Sequence, residues 1–181
     1  MGGGEVSLGS GNIMLTANQL ITLLNLQPHP KEGGFFRETY RSGETIDSAG
    51  LPARYGAPRA NGTSIYYLLT AGTMSPLHRL ASDEVFHFYL GDPVRMLQLT
   101  PDGGGQTIVL GPDLIAGQQV QVTVPRSVWQ GSILEPGGRF ALLGCTVAPG
   151  FDYADYEGAK RRVLLERYPK FADLITKLTP N

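Results

Sequence analysis

The sequence predicts an all-β fold of the sandwich or jelly-roll kind, with a helix at each end. Three observations carry this expectation. From residue 63 the chain breaks into short apolar runs bounded by Gly, Pro or Asp. Its 24 glycines and 13 prolines supply the many turns that such a fold needs. No helical stretches alternate with the strands, which argues against a doubly wound α/β sheet.

In chain order, "MGGGEVSLGSGN" is Gly/Ser-rich and lacks both the basic and the apolar region of a signal peptide. Residues 1–13 therefore read as a flexible leader and 14–181 as one domain. "TANQLITLLNL" opens with the capping-box pair Thr16 and Gln19, then places Leu20, Leu23 and Leu24 on one helical stripe. Pro28 and Pro30 should end that helix. "GGFFRETYRS" reads as a strand, with Phe35, Arg37 and Thr39 on one face and Phe36, Glu38 and Tyr40 on the other. Residues 42–62 are polar and rich in Gly and Pro, a long loop in the position of a lid.

The β texture then continues through "TSIYYLLTAG", "EVFHFYLG", "VRMLQLTP", "GQTIVLG", "QQVQVTVP", "SVWQGSIL" and "RFALLGCTVAP". "PDGGG" at 101–105 marks a hairpin tip. Beyond "PGFDYADY", "EGAKRRVLLERY" is helical up to Pro169, and Phe171, Leu174, Ile175 and Leu178 form a last amphipathic stripe.

Composition narrows the function. Lys and Arg total 15 against 16 acids, so there is no basic stripe of the sort nucleic-acid binding requires. Apolar runs such as "FALLGC" are too short to span a bilayer. The single Cys145 forms no internal disulfide, which fits a reducing compartment, and the expected location is the cytoplasm. Neither a Walker or Rossmann glycine loop nor a Gly-x-Ser-x-Gly elbow is present.

The chemistry concentrates in "AGTMSPLHRLASDEVFHFYLGDP", residues 71–93. It reads Gly72-x5-His78-x-Leu80-x3-Glu84-x6-Gly91. A second segment, "GQQVQVTVPRSVWQ", supplies Pro125, Ser127 and Gln130. Together these resemble the paired motifs of the cupin superfamily. "EGGFFRETYRS", "HRLASDEVFHFYLGDP" and "PGFDYADY" are similar to its widespread small-cupin family of unknown function, over roughly residues 14–178. The resemblance implies a cupin-type double-stranded β-helix, a jelly roll with flanking helices, that pairs into homodimers and has a small-molecule pocket at the mouth of its barrel. It also implies that the usual four metal positions read His78, Leu80, Glu84 and Gln130. Leu80 and Gln130 stand where histidines would be, and Ser127 where a glycine would be.

His78 and Glu84, at the ends of a loop joining two strands, are the candidate catalytic pair; the alternative is a hydrogen-bonded pair that closes the loop. Strand parity turns His87 away from Glu84, leaving it a pocket residue or a satisfied core histidine. His29, between prolines, is expected in solvent. Gln130 suits hydrogen bonding to a substrate better than metal ligation. Its neighbour Trp129 faces the other way, to core or dimer surface. Tyr66 and Gln98 are candidate walls of the pocket, and Phe86 and Phe88 candidate apolar lining. Arg37 is either a clamp for an anionic substrate or an edge-strand arginine paired with an acid.

Three functions follow. The leading one is an isomerase, epimerase or lyase moving a proton on a sugar or keto acid, with no cofactor required. His78 would be its base, Glu84 the orienting group, and Gln130 or a tyrosine the oxyanion donor. The metal-independent sugar epimerases of the superfamily are its analogy. The second is a dioxygenase-like cupin holding Zn, Fe or Ni on His78, Glu84 and His87. The third is a binding module without turnover.

Overall fold

The computed structural model describes residues 15–180; the leader reading of residues 1–13 lies outside them. Two antiparallel sheets face each other. The larger runs in the order β1 (Gln27–Pro28), β2 (Phe35–Arg41), β5 (Thr63–Thr70), β12 (Phe140–Ala148), β7 (Asp83–Gly91) and β10 (Gln121–Val124). The smaller runs β13 (Tyr156–Gly158), β6 (Met74–Leu80), β11 (Trp129–Leu134), β8 (Val94–Leu99) and β9 (Gly105–Leu110). A third pair, β3 (Thr45–Ile46) and β4 (Arg59–Ala60), lies between β2 and β5 in the chain. This is the predicted jelly roll.

The alternation of side chains builds three cores. Tyr67, Leu69, Phe86, Met96, Val122, Ala141 and Leu143 point between the sheets. Leu68 and Leu142, one residue out of phase, face outward beneath α1 (Ala17–Leu23), which adds Leu20. Leu97 and Leu99 face outward beneath α2 (Arg161–Arg167) and α3 (Ala172–Lys177), which add Leu164 and Ile175. Helices thus cover parts of both outer faces, which is why runs such as "YYLLT" are apolar at nearly every position. No helix among the described residues is long and apolar enough to cross a membrane.

Three local readings are corrected. First, α1 keeps its Thr16–Gln19 capping box but stops at Leu23, before the prolines. Asn25 takes a left-handed φ of 50°, and the Leu26 and Asn25 amides donate to the Ile21 and Thr22 carbonyls. That is a Schellman end, so asparagine terminates the helix and Pro28 is already in β1. Second, His78 and Glu84 do flank the connection of two strands, but the first of these, β6, was not among the strands read from the sequence. The sequence conceals this strand because Pro76 interrupts it, yet Pro76 falls where β6 shifts register against β11, between Ser75↔Ser132 and His78↔Gln130. A missing N–H is tolerated at such a bulge.

Third, residues 42–62 are a pinned strap and not an open lid. Buried Arg59 makes a two-point ion pair with Asp155, at 2.7 and 2.6 Å, and donates to the Tyr55, Ala57 and Pro58 carbonyls. Tyr55, also buried, meets Ser82 at 3.1 Å.

Candidate functional site

A cavity of about 310 Å³ opens at one end of the barrel, with His29, Glu32, Phe36, Glu38, Arg41, His78, Leu80, Glu84, Cys145 and Asp152 among the residues around it. Its two sides come from the two sheets. The chain crosses between them in the two residues that separate β6 from β7, and this brings His78 and Glu84 to the same space.

The two groups do not touch directly. Gln130 of β11, opposite His78 in the ladder, lies between them. Its Nε2 donates to Glu84 Oε2 at 2.5 Å and sits 3.0 Å from His78 Nε2. All three are nearly sealed from solvent. His78 Nδ1 lies 2.8 Å from the Pro76 carbonyl, which accepts only, so that nitrogen carries a proton and Nε2 is the acceptor of the neutral tautomer. Tyr156 stacks on the imidazole at 4.9 Å and fixes its plane.

Glu84 holds its proton unusually tightly. Burial raises its pKa to about 8, the charge of Glu32 adds to this, and bonds from Gln130 and the Cys145 thiol pull the other way. Burial likewise pushes the Cys145 thiol well up, so it is no nucleophile near neutrality.

Glu32 is the residue that sequence reasoning missed most plainly. Its Oε2 accepts from Ser75 at 2.9 Å, while Oε1 lies 3.7 Å from His78 Nε2 and 3.9 Å from His29 Nε2. His29 is not in solvent: its ring is buried edge-on to Phe36 at 4.6 Å, and its Nδ1 accepts the Glu32 amide at 2.8 Å. Burial lowers its pKa first, with the charge of Glu32 opposing and that of His78 adding to the fall. The available signal was the Gly-Gly after Glu32. A Cβ on Gly33 would strike the Met74 carbonyl, and one on Gly34, at φ 77°, the Leu68 carbonyl. Only glycine lets this segment lie so close to both strands and aim Glu32 inward.

Arg37 and Tyr66 lie outside the cavity. A bulge at Thr39 resets the parity of β2, so Phe36, Glu38 and Arg41 face inward. Arg37 instead covers the outer ring of Tyr66 at 5.5 Å. Arg41 is the inward guanidinium, held by Glu38 at 3.0 and 2.7 Å and by the Phe151 carbonyl. His87 is also outside, 3.2 Å from Thr146 and stacked on Tyr89, and does not join His78 and Glu84. Gln98 is buried behind the site, bonded to Thr123 O and Gln106. Phe86 and Phe88 belong to the core between the sheets; Phe36, Phe151 and Tyr153 supply the aromatic walls.

Leu80 does line the cavity with His78 and Glu84, while Gln130 reaches both, so the four positions of the metal pattern converge. Their donors do not fit a divalent ion. Leu80 offers no lone pair, and the Gln130 amide turns N–H groups toward the imidazole and the carboxylate. No group of three or more His, Cys, Asp or Glu among the described residues is placed to hold a metal.

This geometry is accompanied by a family match. Residues 18–159 match the model of the cupin superfamily family DUF985. The chain belongs to that family. It is 31% identical over 146 residues to the uncharacterized protein YML079W of Saccharomyces cerevisiae, covering 76% of this chain and 72% of the yeast protein. Among solved structures, this cupin is similar to a hypothetical protein from Leishmania major, at TM-score 0.82 and 31% identity, covering 92% of this chain and 100% of the other. Protein SO0799 from Shewanella oneidensis gives TM-score 0.81 and 36% identity over 92% and 99% of the two chains.

Proposed function

We propose that this cupin is a small-molecule enzyme of the isomerase or epimerase kind, transferring a proton next to a carbonyl in a sugar-like or keto-acid-like substrate. The observation that carries this is the pair His78 and Glu84 facing one cavity, bridged by Gln130, with the imidazole tautomer set by the Pro76 carbonyl. His78 Nε2 is the acceptor; it takes the substrate proton when the substrate displaces the Gln130 N–H that it accepts in the resting site. Glu84, protonated at neutral pH, is the donor and stabilises the developing oxyanion. Gln130 lies between the two in the resting site and is not among the residues that line the cavity. Side chains alone move the proton, so the reaction as proposed needs no cofactor.

The test is solvent exchange. Sugar and keto-acid carbonyl compounds are incubated with the protein in deuterated water, and loss of the C–H signal next to the carbonyl is followed by NMR. His78→Gln should slow the exchange about a hundredfold or more, the usual range for losing a general base. Exchange at the wild-type rate in His78→Gln, or no exchange with any compound, would leave a binding module in place of an enzyme.

A further inference from the structure

We infer that the cavity takes a ligand carrying a protonated amine, of the amino-sugar class, with Glu32 as the group that pairs with it. The inference rests on the proton-transfer reading only for the location of the site, and names the substrate's charge.

The side chains around the cavity include the carboxylates Glu32, Glu38 and Asp152 and one guanidinium, Arg41. That guanidinium is committed. Two of its nitrogens bind the two Glu38 oxygens and two reach the Phe151 carbonyl, so one of its five N–H groups remains for an incoming anion, on a pair that is 45% and 41% exposed. Glu32 is in the opposite state. Its side chain is 13% exposed, and its ion partners among the described residues are imidazoles alone, beyond hydrogen-bond distance. The only direct hydrogen bond to its carboxylate among the described residues is from Ser75. A carboxylate this enclosed without a cation is costly, and a ligand ammonium removes that cost.

A second, independent observation points to the same charge. Beside the cavity, Lys31 Nζ sits 5.2 Å from the ring centre of Tyr153, which lines it, and 5.4 Å from that of Tyr156. Both distances are within reach of a cation–π contact. Tyr153, Phe151 and Phe36 continue that aromatic surface around the cavity. A volume of about 310 Å³ lies at the small end of ligand sites, which suits a monosaccharide and not a nucleotide.

Glucosamine, glucose and glucuronate share one ring and differ in charge, so they serve as probes. The chain has three histidines, of which His29 and His78 line the cavity and His87 does not. Their imidazole NMR signals therefore separate cavity binding from binding elsewhere. Glucosamine should shift the His29 and His78 signals, leave His87 unmoved, and bind about tenfold more tightly than glucose, with glucuronate weaker still. Glu32→Gln, which keeps the shape of the side chain, should erase the preference for amine over glucose. An unchanged His87 signal in that variant reports that the fold is retained.

Glucuronate binding as tightly as glucosamine, or an amine preference that survives Glu32→Gln, overturns the inference. So does failure of all three to move His29 or His78 at millimolar concentration. None of these results touches deuterium exchange and its loss in His78→Gln, so the two readings can fail separately.

Discussion

Glu84 shows how one side chain links the site to the stability of the barrel. Its carboxyl keeps its proton up to about pH 8 in the folded protein, against an ordinary value of 4.5. Between those values the folded state binds a proton that the unfolded state has lost. The stability from this group is therefore complete below about 4.5 and falls as pH rises through 8, by about 1.4 kcal/mol for each unit in that window. Glu84→Gln cannot ionise and should lose this slope, so its stability relative to wild type should improve from about pH 5 to about pH 9. Urea denaturation across that range measures it, and parallel curves would mean that Glu84 is charged throughout. His78 and Glu84 were legible through the resemblance of their segment to the cupin motif, and the jelly roll brings both to one cavity. His29 and Glu32 were not. The Gly-Gly of "PHPKEGG" marks a close approach, but it does not show that Pro28 pairs with Phe35 or that His29 N donates to Gly34 O, folding the imidazole back over Phe36.

Among the elements, the strap over residues 42–62 matters because it ties the wall of the cavity to the barrel. Asp155 follows the segment that carries Phe151, Asp152 and Tyr153, and Arg59 holds it in a buried pair with 3% and 5% side-chain exposure. Arg59→Leu leaves the carboxylate buried without its partner and should cost about 3–5 kcal/mol. Arg59→Leu combined with Asp155→Leu should recover most of that loss, because no lone charge is then buried. Denaturation midpoints of the three proteins decide it, and a loss below about 1 kcal/mol in the single variant would show that the pair does not hold the strap. The sequence displayed eight of the strands, β2, β5 and β7 to β12, since each is a β-rich run between turn residues. It hid β6 behind Pro76, and it hid the true face of β2 behind one extra residue at Thr39. Parity carried the argument from Phe35 to Glu38 and then failed, which exchanged Arg37 for Arg41 at the cavity. Ser127 is the reverse case: the motif places a glycine there, and the serine indeed adopts a left-handed φ of 66°.

At the scale of the molecule, the helices leave part of the larger sheet uncovered. Across β2, β5, β12 and β7, Arg37 lies over Tyr66, Tyr66 meets Tyr89 edge-on at 6.0 Å, and His87 stacks on Tyr89 at 6.3 Å. Tyr40 and Tyr89 are 56% and 49% exposed. Gly144 opposite His87 has no side chain, and the Tyr89 ring folds down over it, which keeps this face shallow. Tyrosine and arginine are the side chains that most often carry energy at protein–protein contacts. An aromatic surface on a regular sheet also matches itself readily through a two-fold axis. We therefore expect a homodimer joined through this face. Light scattering at micromolar concentration should give twice the chain mass. Tyr89→Glu places two like charges at the contact and should return the protein to monomer, with its circular dichroism unchanged because Tyr89 is already half exposed. A monomeric wild type would sink the expectation. A dimer that survives Tyr89→Glu would move the contact to another surface, with the exposed Leu114–Ile115 turn the next to be changed.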